Sequence, residues 1–323
     1  MSGSIDKESP SPGWKSYWQA DRMQSCVPAD AATESEIAER WIGLFTAMPD
    51  RSRILDVGTG NGVLLAHAAA AAERSGKRFE LTGIDLAEID PATYVSDHLA
   101  VQHDARFLGG VNAAELPFDD ASMDVVVSQF GLEYADVNRA LDAVGRVLEQ
   151  GGRLIWLAHS QDSAVVAQNS DQEKQVELLL ADSGPLAAMR DFVGAFAARR
   201  LLDSKTDRLR QSLQHAEEFC SRHPPADIVW NVCSVIADTA QNANRYRPED
   251  LLLMLEDSTR RLEAHRSRIK DMNAAVITEP RRVRVLEKLQ APPWIDATSS
   301  SWCVGRDASP IGILFEAGKG SSR

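Results

Sequence analysis

Ile54-Leu55-Asp56-Val57-Gly58-Thr59-Gly60-Asn61-Gly62 is the stretch from which the rest of this chain is read. A short apolar run of this kind forms a buried strand, and here it ends in an acid, Asp56, and three glycines at alternate positions. A helical pattern, Val63-Leu64-Leu65-Ala66-His67-Ala68-Ala69-Ala70, follows at once. Glycine lets the backbone bend sharply and approach a ligand, because no Cβ obstructs either. The carboxyl end of a strand opening onto a helix N-terminus is where doubly wound sheets hold nucleotide-like ligands.

Spacing separates the ligands that such a turn can hold. A dinucleotide fingerprint requires glycine at the first, third and sixth positions; counted from Gly58, the third is Gly60 but the sixth is Val63. A phosphate-cradling loop requires Gly-Lys followed by Ser or Thr, and no lysine is present. The pattern that fits, Asp-x-Gly-x-Gly-x-Gly, resembles the first motif of class I S-adenosylmethionine-dependent methyltransferases. S-adenosylmethionine has no pyrophosphate, so a loop without a cationic side chain suits it. Its cationic amino and sulfonium groups favour a nearby carboxylate, for which Asp56 is the candidate. The alternative is a tight strand-to-helix turn with no ligand.

Further segments carry the same resemblance. Asp85 closes the second strand, Phe79 to Ile84, and in this family an acid there accepts hydrogen bonds from both ribose hydroxyls. The resemblance gives Asp85 that role, with Leu86 beside it; otherwise Asp85 is a helix cap. Asn112-Ala113-Ala114-Glu115-Leu116-Pro117-Phe118 is similar to the Asp-Ala-Glu-x-Leu-Pro-Phe segment of methyltransferases related to ubiquinone and menaquinone biosynthesis enzymes (the type 11 group). There the acid accepts from the adenine amino group and the next amide donates to the ring, roles that fall here to Asn112 and Ala113. Asn112 can accept that bond only without charge assistance, so the contact is expected to be weaker.

Ser128-Gln129-Phe130-Gly131-Leu132-Glu133-Tyr134 is similar to the fourth motif, which places Gln129 and Phe130 beside the methionine half of the cofactor. Leu148-Glu149-Gln150-Gly151-Gly152-Arg153-Leu154 resembles the Leu-x-Pro-Gly-Gly-x-Leu turn before the fifth strand, with Gln150 replacing proline. The implied cofactor is S-adenosylmethionine, with S-adenosylhomocysteine as product. The implied cofactor-binding set is Asp56, Gly58, Thr59, Gly60, Asn61, Gly62, Asp85, Leu86, Asn112, Ala113, Gln129 and Phe130.

The rest of the chain fits around this core. An amphipathic helix, roughly 33 to 48, carries Ile37, Trp41, Leu44 and Phe45 at helical spacing. After it strands and helices alternate: a weak third strand at 105–108, a β-branched fourth at Met123 to Ser128, a helix with Val137, Leu141, Val144 and Leu148 on one face, and a fifth strand, Arg153 to Ala158. Alternation with continuous apolar strands predicts a parallel sheet covered on both faces. From about 163 to 290 only helical patterns appear, through Val176–Leu180, Leu186–Leu202, Ile228–Ala240, Leu251–Val276 and Val283–Leu289. Ser301–Val304 and Ile311–Phe315, turned by Gly305 to Pro310, read as a hairpin.

The expected fold is α/β: a doubly wound, mostly parallel seven-stranded Rossmann-like sheet with a C-terminal antiparallel hairpin and a large helical insertion. The expected divisions are an N-terminal tail and helical cap (1–50), the cofactor-binding core (51–162), a helical lid or substrate-binding insertion (163–292) and the closing hairpin (293–323).

Composition limits the partners. The 323 residues are 44% hydrophobic, enough for a substantial core, and the net charge of -12 argues against a broad nucleic-acid footprint. Cys26, Cys220, Cys233 and Cys303 form no Cys-x-x-Cys pair, and no His/Cys cluster has metal-ligand spacing, so reduced thiols and no metal are expected. Met1 to Glu8 is polar, unlike a signal peptide, and no run is long enough to span a bilayer, so a soluble cytoplasmic protein is expected. Residues 1 to about 13, rich in Ser, Pro and Gly, are expected to be disordered.

Methyl transfer is an in-line displacement in which the enzyme aligns the reacting atoms and excludes water. Acid–base candidates should lie beyond the strand ends: His159 after strand five, and Glu133 and Tyr134 after strand four. The alternative for His159 is a capping or hydrogen-bonded histidine lining the sheet edge, and for Glu133 a solvated or substrate-positioning role; His67, in the apolar face of the first helix, reads as a packed core histidine. Trp14, Tyr17 and Trp18 form either a flap over the cofactor or simple packing of an N-terminal helix. Arg281, Arg282 and Arg284 bind an anion or form a solvated helix face. The expected activity is methyl transfer to a small organic or natural-product acceptor. The alternatives are a peptide or protein methyltransferase docking through the helical insertion, and a non-catalytic S-adenosylmethionine-binding scaffold.

Overall fold

The computed structural model describes residues 12–19, 22–23, 31–96, 105–200 and 203–320. The expectations for the tail through residue 11, for Cys26 and for Leu201 and Leu202 lie outside these residues. Pro12 and Gly13, read as part of the tail, open a helix instead.

Seven strands form one sheet: β1 (Arg53–Val57), β2 (Glu80–Ile84), β3 (Ala105–Leu108), β4 (Met123–Gln129), β5 (Leu148–Ala158), β6 (Trp294–Val304) and β7 (Ser309–Lys319). Their order is β3-β2-β1-β4-β5-β7-β6. The first five pair in parallel, and β7 runs antiparallel between β5 and β6. This is the expected doubly wound sheet with its closing hairpin. The order reverses between β1 and β4, and the crevice beyond that reversal is where such sheets bind ligands.

Alternation along the strands sorts the core into two layers, because successive side chains point to opposite faces. Leu55, Val57, Val126, Leu154, Trp156 and Phe315 pack on one face with α5 (Val137–Val147) and α11 (Glu279–Leu289). Ile54, Val125, Val127, Ile155, Leu157 and Leu314 pack on the other with α2 (Ala31–Thr46) and α3 (Val63–Ser75). By the same period Asp56 falls on the second face, level with Ile54. At the far edge of β1, Arg53 pairs with Asp124 at 2.6 Å and Glu149 at 2.8 Å, fixing the parallel strands at the end away from the crevice. The short helix α1 (Pro12–Trp18) precedes α2, and α4 (Pro91–Tyr94) follows β2.

The chain folds as two compact units, residues 1–167 with 271–323, and residues 168–270. The second contains α7 (Pro185–Ala197), α8 (Asp203–Arg222), α9 (Asp227–Gln241) and most of α6 (Ala164–Leu180) and α10 (Pro248–Ala275). It has its own core, with Val176, Leu186, Phe192, Leu209, Val229 and Leu255 at its centre. No side chain within α9 caps its N-terminus; the buried Gln175 supplies the missing acceptor, its Oε1 taking the Ile228 amide at 3.0 Å. Among the described residues, no helix is long and apolar enough to cross a membrane.

Candidate functional site

The turn after β1 needs its glycines. Gly58, Gly60 and Gly62 have φ of 73°, 53° and 89°, in the left-handed region that only glycine enters freely. A Cβ on Gly58 would lie 2.6 Å from the Cα of Gly131, so the turns after β1 and β4 touch backbone to backbone. Asp56 braces the loop from below: its Oδ2 accepts from the Thr59 hydroxyl at 2.7 Å, while Oδ1 has no hydrogen-bond partner. Burial pushes the Asp56 carboxyl up to about 7, with the Thr59 bond opposing the rise and the charge of Asp85 adding to it. Gly83 in β2 makes room for this brace, since a Cβ there would sit 2.6 Å from the Thr59 hydroxyl.

Beyond the carboxyl ends of β1, β2 and β4 lies a cavity of about 630 Å³, well within the range of small-molecule sites. Gly58, Thr59, Asp85, Leu86, Asn112, Ala113, Gln129 and Phe130 line it. Asp56, Gly60, Asn61 and Gly62 do not. Asp56 points into the sheet layer beneath the loop, and Gly60 and Asn61 face the N-terminal helix.

Asp85 holds the centre of the cavity floor. Its Oδ2 accepts from the Gly60 amide at 2.9 Å and its Oδ1 from the Ala87 amide at 2.8 Å. Burial pushes this carboxyl up to about 6, with the two amides working against the rise. Each oxygen keeps a lone pair, so the carboxylate can accept two further bonds from a diol. In the next loop the Asn112 side-chain oxygen accepts from the Ala114 amide at 2.9 Å. That bond fixes the orientation of the amide and turns its NH2 group to the other side, where an aspartate would present a second acceptor oxygen.

The end of β4 is equally constrained. Ser128 donates to the Val57 carbonyl at 2.7 Å and accepts from the Leu132 amide at 3.0 Å, joining the turns after β1 and β4. Gln129 is held by the Trp41 indole, which donates to its Oε1 at 2.6 Å. Phe130 has φ of 55°, a conformation that costs a non-glycine residue about 1 kcal/mol or more. It is retained because its amide bonds Leu157 at 2.8 Å and its ring packs on His159 with centroids 4.4 Å apart.

Of the acid–base candidates, Tyr134 lines the cavity, while Glu133 and His159 are fully buried behind it. Glu133 accepts from the His159 backbone amide at 2.9 Å, from the Trp156 indole at 3.0 Å, and meets His159 Nδ1 at 2.7 Å. Burial pushes the Glu133 carboxyl up, but the His159 hydrogen bond and charge more than offset it and hold Glu133 below the usual carboxylate range. An ionised Glu133 can only accept, so Nδ1 of His159 carries the proton it faces. Arg281 donates to the Glu133 carbonyl at 2.7 Å and to carbonyls at the end of α10, including that of Ala275. Arg282 bonds Ser299 at 3.0 Å, and Arg284 is exposed. His67 is half-buried, and burial pushes its pKa down to about 4, so it is neutral at physiological pH.

The aromatic N-terminal residues reach the same place. Trp14 and Trp18 line the cavity, and Trp18 lies so close over Gly60 that a Cβ there would be 2.4 Å from its ring. Asn61 ties this segment down, donating to the Trp18 carbonyl at 2.9 Å and the Arg22 carbonyl at 2.6 Å. Two further lining residues carry no sequence signal: Arg139, paired with Glu115 at 2.8 Å, and Asp271 in the last turn of α10. No motif surrounds Asp271, and only the return of the chain to the sheet brings it here. Among the described residues, no group of His, Cys, Asp and Glu side chains could hold a metal ion.

Residues 55–156 match a methyltransferase domain family. Over 109 residues the chain is 38% identical to the demethylmenaquinone methyltransferase of Deinococcus radiodurans, covering 32% of this chain and 42% of that protein. It is 34% identical over 113 residues to the ubiquinone/menaquinone biosynthesis C-methyltransferase of Rickettsia prowazekii (34% and 45%). It is also 34% identical over 108 residues to an uncharacterized methyltransferase of Mycobacterium tuberculosis (32% and 39%). The match spans less than half the length of these relatives. Residues 55–156 are thus similar to a methyltransferase domain, on a sheet whose order and crevice carry the cavity described above.

Proposed function

We propose that the cavity binds S-adenosylmethionine and that the protein transfers a methyl group to a small organic acceptor. The observation that carries this reading is the half-buried Asp85 carboxylate, set between the glycine turn and the Asn112 loop with lone pairs left for a diol. The lining fits the group: its basic side chain, Arg139, is tied to Glu115, which suits a ligand with cationic groups and no phosphate. When bound, S-adenosylmethionine supplies a methyl carbon activated by a sulfonium leaving group.

The residues divide the work. Asp85 would hold the ribose, Asn112 and the Ala113 amide the base, and Gln129 and Phe130 the methionine half. Asp56 and Thr59 keep the glycine turn rigid beneath them. Trp14, Trp18 and Tyr134 exclude water from the reacting end. Glu133 and His159 lie one layer behind, and we assign them the positioning of Phe130 and Tyr134, whose rings pack on His159 with centroids 4.4 Å and 5.8 Å away. Isothermal titration with S-adenosylhomocysteine should give saturable one-site binding, and methyl transfer from labelled S-adenosylmethionine to a small-molecule panel should follow. Absence of S-adenosylhomocysteine binding would end this reading.

A further inference from the structure

One residue of the glycine motif stands apart from the ligand side of the turn. Asn61 is 2% exposed and does not line the cavity. Its side-chain NH2 donates to the Trp18 carbonyl at 2.9 Å and to the Arg22 carbonyl at 2.6 Å. Two carbonyl acceptors leave the amide a single orientation, because only its nitrogen end can donate to both. The side chain therefore serves the N-terminal segment and not the cavity.

That segment forms one wall of the cavity. Trp14, near the start of α1, stands edge-on to Tyr134 beyond β4 with centroids 5.5 Å apart. Trp18, at the end of α1, covers Gly60 in the turn after β1. The two indoles stack at 6.2 Å, and both line the cavity. Gln19 donates to the Tyr94 hydroxyl of α4 at 3.4 Å. Thus α1 runs from the turn after β4 to the turn after β1 without joining the sheet. A wall held by side-chain bonds and ring contacts opens more readily than one held by a strand ladder.

We propose that α1 is a gate to the cavity and that Asn61 is the positioning residue that latches it. The family motif puts Asn61 among the cofactor contacts, whereas here it acts through the segment that carries Trp18. This rests on the reading that the cavity holds S-adenosylmethionine. A latch slows passage in both directions, since ligand enters and leaves by the same opening. A direct ligand contact differs, because removing it hastens release and leaves entry unchanged.

The test measures the two rates separately, with S-adenosylhomocysteine as the probe. Entry is followed by stopped-flow tryptophan fluorescence, which Trp14 and Trp18 report from the cavity wall. Release is followed by chasing labelled S-adenosylhomocysteine with the unlabelled compound. Asn61→Ala removes both donated bonds and should speed entry and release together, each by about tenfold, the effect of losing two neutral hydrogen bonds. Saturable binding by the variant also reports that it is folded. Faster release with unchanged entry would make Asn61 a ligand contact and overturn the proposal, as would two unchanged rates. Should Asn61→Ala fail to fold, Trp18→Leu loosens the gate from the other partner and must speed both steps; its failure to do so overturns the proposal equally. A parent protein that does not bind S-adenosylhomocysteine would instead defeat the cofactor reading beneath it.

Discussion

Asp56 in β1 and Asp85 just beyond β2 are neighbours in the sheet, and burial lifts both carboxyls above the ordinary range, to about 7 and about 6. Their surroundings differ in kind. Asp56 is 1% exposed, bonds one hydroxyl of its own loop and leaves one oxygen without a partner. Asp85 is half-buried, takes two loop amides and opens onto the cavity. One acid supports the loop, and the other faces the cavity that we propose holds the ligand. A family motif highlights both, but only the position of each side chain relative to the sheet separates the roles.

The largest effect expected from this contrast is on binding. Asp85→Ala should weaken S-adenosylhomocysteine by roughly 100-fold or more, the worth of two charge-assisted hydrogen bonds. Asp56→Asn, which keeps an oxygen for Thr59, should change affinity little. Comparable losses in the two variants, read by calorimetry, would erase the distinction.

Asp56 should show itself in stability. In the unfolded chain its carboxyl ionises near the usual value of about 4, whereas in the folded protein it holds its proton to about 7. Across that window the folded state carries the extra proton, so stability falls as pH rises, by at most about 1.4 kcal/mol per pH unit for one group. Asp85 adds a slope of the same sign, ending near its own value of about 6. Asp56→Asn should therefore flatten the decline and leave the protein more stable than the parent at about pH 8, as measured by chemical denaturation. A parent whose stability rises from about pH 5 to about pH 8 would contradict the assignment.

The smallest effect concerns Asn112. Asn112→Asp restores a second, charged acceptor toward the base and should tighten S-adenosylhomocysteine by about fivefold. Weaker binding would mean that the NH2 group of Asn112 makes the contact instead.

The sequence made the parallel sheet and its glycine turn legible because their constraints are local. Glycines at alternate positions, acids at strand ends and β-branched runs are all contained within a few residues, and the sheet order follows from them. Features made by distant segments left no such mark. Trp18 covering Gly60, Trp41 holding Gln129 and Asp271 entering the cavity each depend on chain returning from tens or hundreds of residues away. The whole of α8 was likewise missing from the helical pattern read in the sequence. It buries little beyond Leu209, Ser212 and Ala216, too narrow an apolar stripe to stand out. The placement of Glu133 and His159 behind Tyr134 was also hidden, since residues at strand ends can face the crevice or the layer beneath it.

The central claim, that Asp85 and not Asp56 is the acid that meets the ligand, is tested most directly by the pH dependence of S-adenosylhomocysteine affinity in the parent protein and in Asp56→Asn. Ligand hydroxyls donate best to an ionised carboxylate, so affinity should be steady at higher pH and fall below about 6 as Asp85 takes up its proton. The account predicts that this fall persists in Asp56→Asn. A fall that disappears with Asp56, or affinity that stays flat through the acid range in the parent protein, would contradict it.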